Sequence, residues 1–366
     1  MLIRKITDLY KKFEVYISVI GFSFGLIMTF LTLTRVDMFM ENFWIIINLL
    51  IVVFTIFALT FYENHLKKRN LPNTGESLFS FLLPLFIQFA FGGLFATYFV
   101  FYIRSSSLSD SWLFLLILLV LLIGNEIWKK HYERLTFQIS VLFTSFYLFF
   151  IFLLPVLWHR LGADLFLASG ILSLIIIFLF TLLLRKFALE KFNSSHNYLK
   201  TSIVGIFLAM NIMYFTNIIP PIPLSLKEAG VYHSIVKVSG GQYQAKGEDK
   251  SWFDYFVHYP VFHKVVGEPV YVFSAIFSPV KFATQIIHQW QYYDEVKKIW
   301  VDSSKVVLPI TGGREEGYRT YSSKSAVSPG LWRVKVMISS GQILGKIGFR
   351  VVNVSNRAIL IESLIY

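Results

Sequence analysis

The stretch Tyr214-Phe215-Thr216-Asn217-Ile218-Ile219-Pro220-Pro221-Ile222-Pro223-Leu224 divides the chain into two unlike halves. The residues before it are strongly apolar and interrupted by short basic loops. The residues after it are polar and charged and alternate with a period of two. Three prolines within four residues cannot continue a helix, because proline lacks the amide proton and crowds the preceding turn. The sequence therefore predicts that a membrane helix ends here and that a β domain exposed to water begins.

The composition agrees with a membrane protein. The chain has 366 residues, of which 38 are phenylalanine and only 15% are charged, and its mean hydropathy is +0.60. Long apolar runs with few charges are typical of membrane spans. The chain has no cysteine, which excludes disulfides, thiolate metal sites and a cysteine nucleophile.

Seven segments before the prolines are long and apolar enough to cross a bilayer, for which about 20 residues are needed. They are Tyr16–Leu33, Phe43–Tyr62, Leu78–Ile103, Trp112–Trp128, Leu135–Trp158, Leu165–Leu184 and Ser202–Ile219. A short amphipathic helix is predicted over residues 1–15, where apolar and basic residues alternate at helical spacing. The predicted fold is thus an α-helical bundle of about seven transmembrane helices (16–219), followed by a junction with an extra hairpin (220–268) and an all-β, sandwich-like domain (269–366).

Basic residues in the loops predict the orientation. The N-terminal segment and the second, fourth and sixth loops carry fourteen Lys or Arg together, whereas the first, third and fifth loops carry one each. Cytoplasmic loops are enriched in Lys and Arg. We therefore expect a multi-pass protein of the plasma membrane with its N-terminus in the cytoplasm and its β domain outside. Fourteen of the 34 basic residues are explained in this way, so the net charge of +12 does not indicate nucleic acid.

Polar residues within the predicted spans are mostly uncharged. Ionisable groups in spans are costly and commonly functional, and they are nearly absent from the span centres. The polar side chains that remain can bond between helices; they are Asn48, Gln88, Asn125, Gln138 and Asn211. Packing contacts are the first interpretation and a substrate path is the second.

The second half reads as seven or eight short strands with turn signals between them. Period-two runs lie near 269–277, 282–291, 296–301, 304–310, 317–323, 331–338, 342–353 and 357–365. This spacing is typical of a β-sandwich. The segment 225–268 shows one strand-like run, Gly230–Val238, and an aromatic run from Trp252 to Phe262.

Several motifs in this half resemble a bacterial family known as domain of unknown function 2914. They are His288-Gln289-Trp290, Gly312-Gly313-Arg314, Tyr318-Arg319-Thr320-Tyr321-Ser322-Ser323-Lys324, Pro329-Gly330-Leu331-Trp332-Arg333-Val334, Gly341-Gln342-Ile343-Leu344-Gly345 and Phe349-Arg350-Val351, with Pro220-Pro221-Ile222-Pro223-Leu224-Ser225-Leu226-Lys227 upstream. The resemblance covers about the last third of the chain and implies a bacterial origin and a β domain. It implies no reaction.

No catalytic, metal or cofactor site is predicted. His233, His258 and His263 lack the tight spacing of metal ligands. The candidate ligand-binding residues are Arg319, Tyr321, Arg333, Lys335, His288 and Trp290.

The first four of these residues would form a basic strip if both runs faced outward. Arg319 with Tyr321 and Arg333 with Lys335 each share one face of a strand. Arginine binds carboxylates and phosphates bidentately, and aromatic rings stack on sugars. The alternatives are a solvated sheet face, or a structural arginine paired with Asp294 or Glu315. For His288 the first interpretation is a hydrogen-bonded structural histidine and the second is a ligand-binding residue, and Trp332 is expected in the core.

Two function classes remain open. The first is a membrane-anchored binding module whose partners are the lipid bilayer and an anionic or glycan polymer of the envelope, or a membrane protein. The second is a transporter or membrane enzyme that carries the β domain as an accessory cap. The scarcity of intramembrane charge favours the first.

Overall fold

The computed structural model describes residues 25–33, 38–69, 78–127, 134–238, 242–249, 257, 259–278, 283–311, 318–356 and 359–365. The predicted amphipathic helix at 1–15 and the beginning of the first predicted span lie outside these ranges. The chain divides into two compact units. One is helical. The other contains Ile219–Tyr366 together with two short segments of the first half, Ser105–Ser111 and Trp158–Leu161.

Seven helices precede the β region, as the sequence predicts. They are α1 (residues 25–32), α2 (Phe39–Lys68), α3 (Leu78–Arg104), α4 (Leu108–Ile127), α5 (Leu135–Trp158), α6 (Ala163–Phe187) and α7 (Leu189–Phe215). Within the described ranges, the six helices α2–α7 each contain a stretch long and apolar enough to cross a membrane.

Helix α5 is the core of the helical unit. Its apolar stretch is 72% buried, against 17–44% for the other five. Two buried tyrosines of α3 donate hydrogen bonds to its backbone, Tyr98 to the carbonyl of Ser145 at 2.9 Å and Tyr102 to that of Leu148 at 3.2 Å. Such bonds satisfy polar groups that are buried between helices.

Eleven strands are described in the second unit. They are β1 (Ser225–Tyr232), β2 (Ser234–Lys237), β3 (Tyr243–Glu248), β4 (Val261–Val265), β5 (Val270–Phe277), β6 (Ala283–Asp294), β7 (Ile299–Thr311), β8 (Tyr318–Lys324), β9 (Gly330–Ile338), β10 (Ile343–Val354) and β11 (Leu360–Ile365). They form a three-stranded sheet β1-β5-β8, a five-stranded sheet β4-β10-β9-β6-β7 and a second three-stranded sheet β11-β3-β2.

The sheet β1-β5-β8 is covered on both faces. Val270, Val272 and Ile276 of β5 share one hydrophobic cluster with the five-stranded sheet. Phe273 and Ala275, which alternate with them, share another with the sheet β11-β3-β2. Seven of the eight residues of β5 are buried, as expected of a strand packed on both sides. The β region therefore has three layers, and we call β1-β5-β8 the central sheet.

The segment 220–268 is part of these layers. It supplies β1 to the central sheet, β2 and β3 to the outer three-stranded sheet, and β4 to the edge of the five-stranded sheet, where β4 pairs in parallel with β10. The strands of this segment therefore pair within the same three sheets as the strands after residue 268. Ile222 and Leu224, just after the prolines, are 1% and 0% exposed.

Candidate functional site

The structure divides the predicted basic strip between two sheets. Arg319 and Tyr321 lie on β8 in the central sheet, whereas Arg333 and Lys335 lie on β9 in the five-stranded sheet. The prediction treated the two runs as neighbours, but β8 pairs with β5 and not with β9. The four residues therefore do not form one surface.

Arg319 and Tyr321 face the inside of the domain. Tyr321 pairs with Phe273 and Arg319 with Ala275 across β5 and β8, so both side chains point to the layer formed by β11-β3-β2. Arg319 is only 7% exposed, and the ring of Tyr321 lies 5.8 Å from that of Tyr243. These two residues belong to the packed interior.

His288 and Trp290 lie in a sealed polar network between the five-stranded sheet and the central sheet. Both are 0% exposed. The ring nitrogens of His288 are hydrogen-bonded to the hydroxyls of Ser274, at 2.8 Å, and of Ser322, at 2.9 Å. The indole N–H of Trp290 donates to the same Ser322 hydroxyl at 3.0 Å. No ligand can reach this network from outside, so its role is structural.

Burial also determines the charge of His288. It lowers the pKa of His288 from 6.5 to about 4, because the charged imidazolium loses its hydration. The histidine is therefore neutral at pH 7 and offers its neighbours one N–H donor and one acceptor. A neutral ring between two hydroxyls completes the network without a charge.

Arg333 lies on the outer face of the same five-stranded sheet, on an aromatic surface. Its guanidinium carbon is 4.1 Å from the centre of the Trp300 ring, within the range of a cation–π interaction. Its Nε–H donates to the side-chain oxygen of Gln291 at 2.7 Å. Tyr293 and Tyr259 lie beside Trp300, with ring centres at 5.3 and 6.0 Å. The guanidinium thus lies over the ring of Trp300, which itself packs against two tyrosine rings.

Two lysines extend this surface. Lys335 lies two residues from Arg333 on β9, and it is directly opposite Lys346 on β10. Lys346 forms an ion pair with Asp110 at 2.7 Å, and Asp110 belongs to the same compact unit. Lys335 makes no hydrogen bond or ion pair with any described residue. Burial, and then the charges of Arg333 and Lys346, lower the pKa of Lys335, while the nearby carboxylates of Asp110 and Asp302 act in the opposite direction.

The surface formed by Arg333, Lys335, Lys346, Tyr259, Tyr293 and Trp300 is called here the basic–aromatic face.

A β-bulge organises its floor. The bulge lies between Trp290 and Gln291 on β6 and opposite Ser303 on β7. Asp302 then accepts hydrogen bonds from the side-chain amides of both Gln289, at 2.6 Å, and Gln291. The bonds from Gln291 and then Gln289 help to hold the pKa of Asp302 below its ordinary value.

The basic–aromatic face has the chemistry to hold an anion or a sugar. The three cations Arg333, Lys335 and Lys346 have two carboxylates near them, those of Asp110 and Asp302. Asp110 already pairs with Lys346, and Asp302 already accepts bonds from two glutamines. Like charges directly opposite each other on two strands are destabilising, and of the two opposed lysines only Lys346 has a bonded carboxylate among the described residues, that of Asp110. An arginine that is positioned over a ring and bonded through its Nε–H can bind a carboxylate or phosphate through its other N–H groups.

Arg333 and Lys335 are among the candidate residues selected from the sequence, whereas Trp300 and Tyr293 are not. Trp300 was assigned to a short run that ended at residue 301, separate from the next run at 304–310. The structure has a single strand, β7, through both. The polar pair Asp302-Ser303 interrupts the period-two alternation between the two runs, and it is the site of the bulge. Such an interruption within one strand is the sequence signal of a bulge.

A second polar cluster joins β3 to β4. Glu248 accepts hydrogen bonds from the rings of His233 at 3.0 Å and His263 at 2.9 Å, and from the backbone N–H of His263 at 2.6 Å. Burial would raise the pKa of Glu248, but these bonds hold it below its ordinary value. In the part of the chain that the structure describes, no group of His, Asp or Glu has a geometry that could hold a metal ion.

Comparisons with known proteins give little beyond the family. No curated protein matches. Among solved structures, the chain is similar to Pseudomonas fluorescens alkylpurine DNA glycosylase AlkC bound to DNA containing an abasic site analog, at 11% identity over 87% of this chain and 99% of that chain, with a TM-score of 0.22. A similarity this weak carries no argument. Residues 283–351, which run from β6 into β10, match the family model described as protein of unknown function (DUF2914). The C-terminal region therefore carries a DUF2914-like domain.

Proposed function

We propose that the chain is a multi-pass protein of the plasma membrane that presents its sandwich-like β domain outside the cytoplasm. There the basic–aromatic face binds an anionic polymer of the cell envelope. The observation that carries the proposal is the position of Lys335, half-buried between Arg333 and Lys346, opposite a like charge and without a bonded partner among the described residues. Such an arrangement is costly in the free protein and favourable once an anion is bound.

The composition of the β unit supports the proposed orientation. Besides the strands, this unit contains Ser105–Ser111 and Trp158–Leu161. These residues belong to the third and fifth loops, which carry one basic residue each and which the positive-inside rule assigns to the outer side. Leu161 packs against the β core and Asp110 pairs with Lys346. The β domain and these two loops then share one side of the membrane.

The aromatic part of the face favours a polymer that contains sugars. Trp300 and Tyr293 are only partly buried and lie within reach of the same cations. Sugar rings present apolar faces that stack on aromatic side chains, while their acidic groups meet Arg and Lys. Among the described residues of the helical unit, no surface combines several cations with several aromatic rings in this way. The alternative of a transporter or enzyme with an accessory cap therefore gains no support.

Retention of the detergent-solubilised full chain on an acidic polysaccharide tests the proposal. The probes are polygalacturonate and neutral dextran, compared at low and high salt. The parent chain should be retained on polygalacturonate alone, and retention should fall with salt, because the interaction is electrostatic. Lys335→Ala should reduce retention about tenfold with an unchanged melting temperature.

The matched control is Lys237→Ala. Lys237 is an exposed lysine of β2, in a different sheet, so its removal changes the net charge equally and should leave retention unchanged. Equal losses in the two variants would mean that only total charge matters. Equal retention of the parent on both polymers would contradict the proposal.

A further inference from the structure

A separate cleft of about 400 Å³ opens at one end of the β core. Its walls are Lys264, Tyr292, Ser303, Ser325, Ala326, Val327, Ser328 and Trp332. Tyr292 and Trp332 face each other across β6 and β9, one residue from Gln291 and Arg333. Successive side chains of a strand point to opposite faces, so the cleft and the basic–aromatic face lie on opposite sides of the five-stranded sheet.

The cleft holds a buried cation without a bonded anion. Lys264 is 5% exposed, and its ammonium group donates to the backbone carbonyls of Ser325 at 3.1 Å and Val327 at 2.9 Å. An ammonium group has three N–H donors, so one has no partner among the described residues. Glu268 acts on this charge electrostatically, but among the described residues no carboxylate forms an ion pair with it. Burial lowers the pKa of Lys264.

The walls supply further polar groups and one aromatic surface. Ser303, Ser325 and Ser328 are exposed, and their hydroxyls have no hydrogen-bond partner among the described residues. Ser303 is the residue at the bulge of β7. The ring of Tyr292 is partly buried and lies 5.7 Å from that of Trp332. Hydroxyls beside an aromatic ring suit a ligand that has both polar groups and a ring.

We infer that this cleft binds a small carboxylated ligand of about the size of one sugar ring, with its carboxylate at the ammonium group of Lys264. A volume of about 400 Å³ is at the small end of ligand pockets, which span roughly 300–1,000 Å³. The serine hydroxyls meet the hydroxyl or amide groups of the ligand, and Tyr292 meets its ring. This site is distinct from the polymer-binding face and goes beyond the proposed function.

Calorimetry on the detergent-solubilised full chain tests the inference with two probes. N-acetylmuramic acid and N-acetylglucosamine differ by a lactyl group that carries a carboxylate. The acid should bind at least about tenfold more tightly than the neutral sugar. Lys264→Met should remove this difference, whereas Lys335→Ala, on the opposite face, should leave it unchanged. A loss in Lys335→Ala equal to that in Lys264→Met would assign the binding to the basic–aromatic face and overturn the inference.

Lys264→Met also strands two backbone carbonyls and can impair folding, so a second pair of variants keeps the ammonium group. Ser303→Asp introduces a carboxylate into the cleft at an exposed position, and Ser303→Asn introduces a neutral group of the same size. Ser303→Asp should weaken binding of the acid about tenfold or more relative to Ser303→Asn. Equal affinities in these two variants, or equal affinity of the parent for the two sugars, would overturn the inference. So would a parent that binds neither sugar.

Discussion

The two faces of the five-stranded sheet are built from alternating residues of the same strands and differ in how their polar groups are satisfied. On the inner face, His288 and Trp290 have all their ring N–H and nitrogen groups bonded to serine hydroxyls and are 0% exposed. On the outer face, Arg333 lies on Trp300, and Lys335 faces another lysine. The strands thus carry structural and candidate binding residues at adjacent positions.

This difference distinguishes the roles of residues within one motif. In His288-Gln289-Trp290, the first and third residues lie on the inner face and hold the layers together. The middle residue, Gln289, lies on the outer face and bonds to Asp302 at the floor of the basic–aromatic face. A buried polar group must be bonded, because an unsatisfied one costs about 1–3 kcal/mol. On the outer face Lys335 is half-buried opposite another lysine and has no bonded partner among the described residues, an arrangement that is costly until an anion is bound. Incomplete satisfaction on the outer face therefore points to a ligand, whereas complete satisfaction on the inner face points to stability.

The largest expected effect comes from the inner face. Trp290→Ala removes a fully buried indole and one bond to Ser322, so it should lower the free energy of unfolding by about 3–5 kcal/mol. Trp300→Ala on the outer face should cost about 1 kcal/mol or less. Hydrogen exchange of the strand amides in the full chain measures both. Equal effects would remove the distinction between the faces.

The pH dependence of stability tests whether His288 on the inner face is buried and neutral. Its pKa is about 4 in the folded protein, below the ordinary 6.5, so the unfolded chain binds the proton more readily. Stability is then complete above pH 6.5 and is lost as the pH falls towards 4, by about 3 kcal/mol in total. Urea midpoints between pH 7 and 4 should fall more steeply for the parent than for His288→Gln. Parallel curves would mean that the imidazole is hydrated.

Period-two alternation predicted much of the β region, because burial on one face imposes it. The runs at 331–338 and 342–353 correspond to β9 and β10, and that at 282–291 to most of β6. Alternation within one strand also put Ile286, His288 and Trp290 on one face, and all three are buried.

Alternation could not say which strands are neighbours. Pairing of β8 with β5 joins Tyr321 to Phe273, which are 48 residues apart, and no local pattern encodes such a contact. For this reason the sequence joined Arg319 to Arg333 in one strip. It also could not show that β5 is covered on both faces, since its apolar run is equally compatible with a strand of a two-layer sandwich.

A smaller effect is expected where two layers meet through charge. Glu248→Gln weakens the bonds to His233 and His263 and should cost about 1–2 kcal/mol, because bonds to a charged acceptor are stronger than neutral ones. Since the folded pKa of Glu248 is lowered, this contribution is present above its unfolded pKa and is lost as the pH falls through the folded value. Glu362→Gln, at an exposed pair with Lys246, is the control and should leave the melting temperature unchanged.

The smallest effect on stability, and the most informative one for function, is expected from Arg333→Lys. The substitution keeps the charge but loses the contact of the guanidinium with the Trp300 ring and the bond from Nε to Gln291. Lysine is a strongly hydrated point charge and cannot reproduce bidentate binding. We expect the free energy of unfolding to change by less than about 1 kcal/mol, while retention on polygalacturonate falls several-fold.

Lys335→Arg is the matched exchange on the same strand and should keep retention, because Lys335 has no bond to lose among the described residues. The two exchanges preserve net charge, so total charge cannot explain a difference between them. An Arg333→Lys chain that melts several degrees lower and is still fully retained would make Arg333 a structural residue. The outer face would then be a stabilised surface like the inner one, because its arginine would serve the sheet and not a ligand.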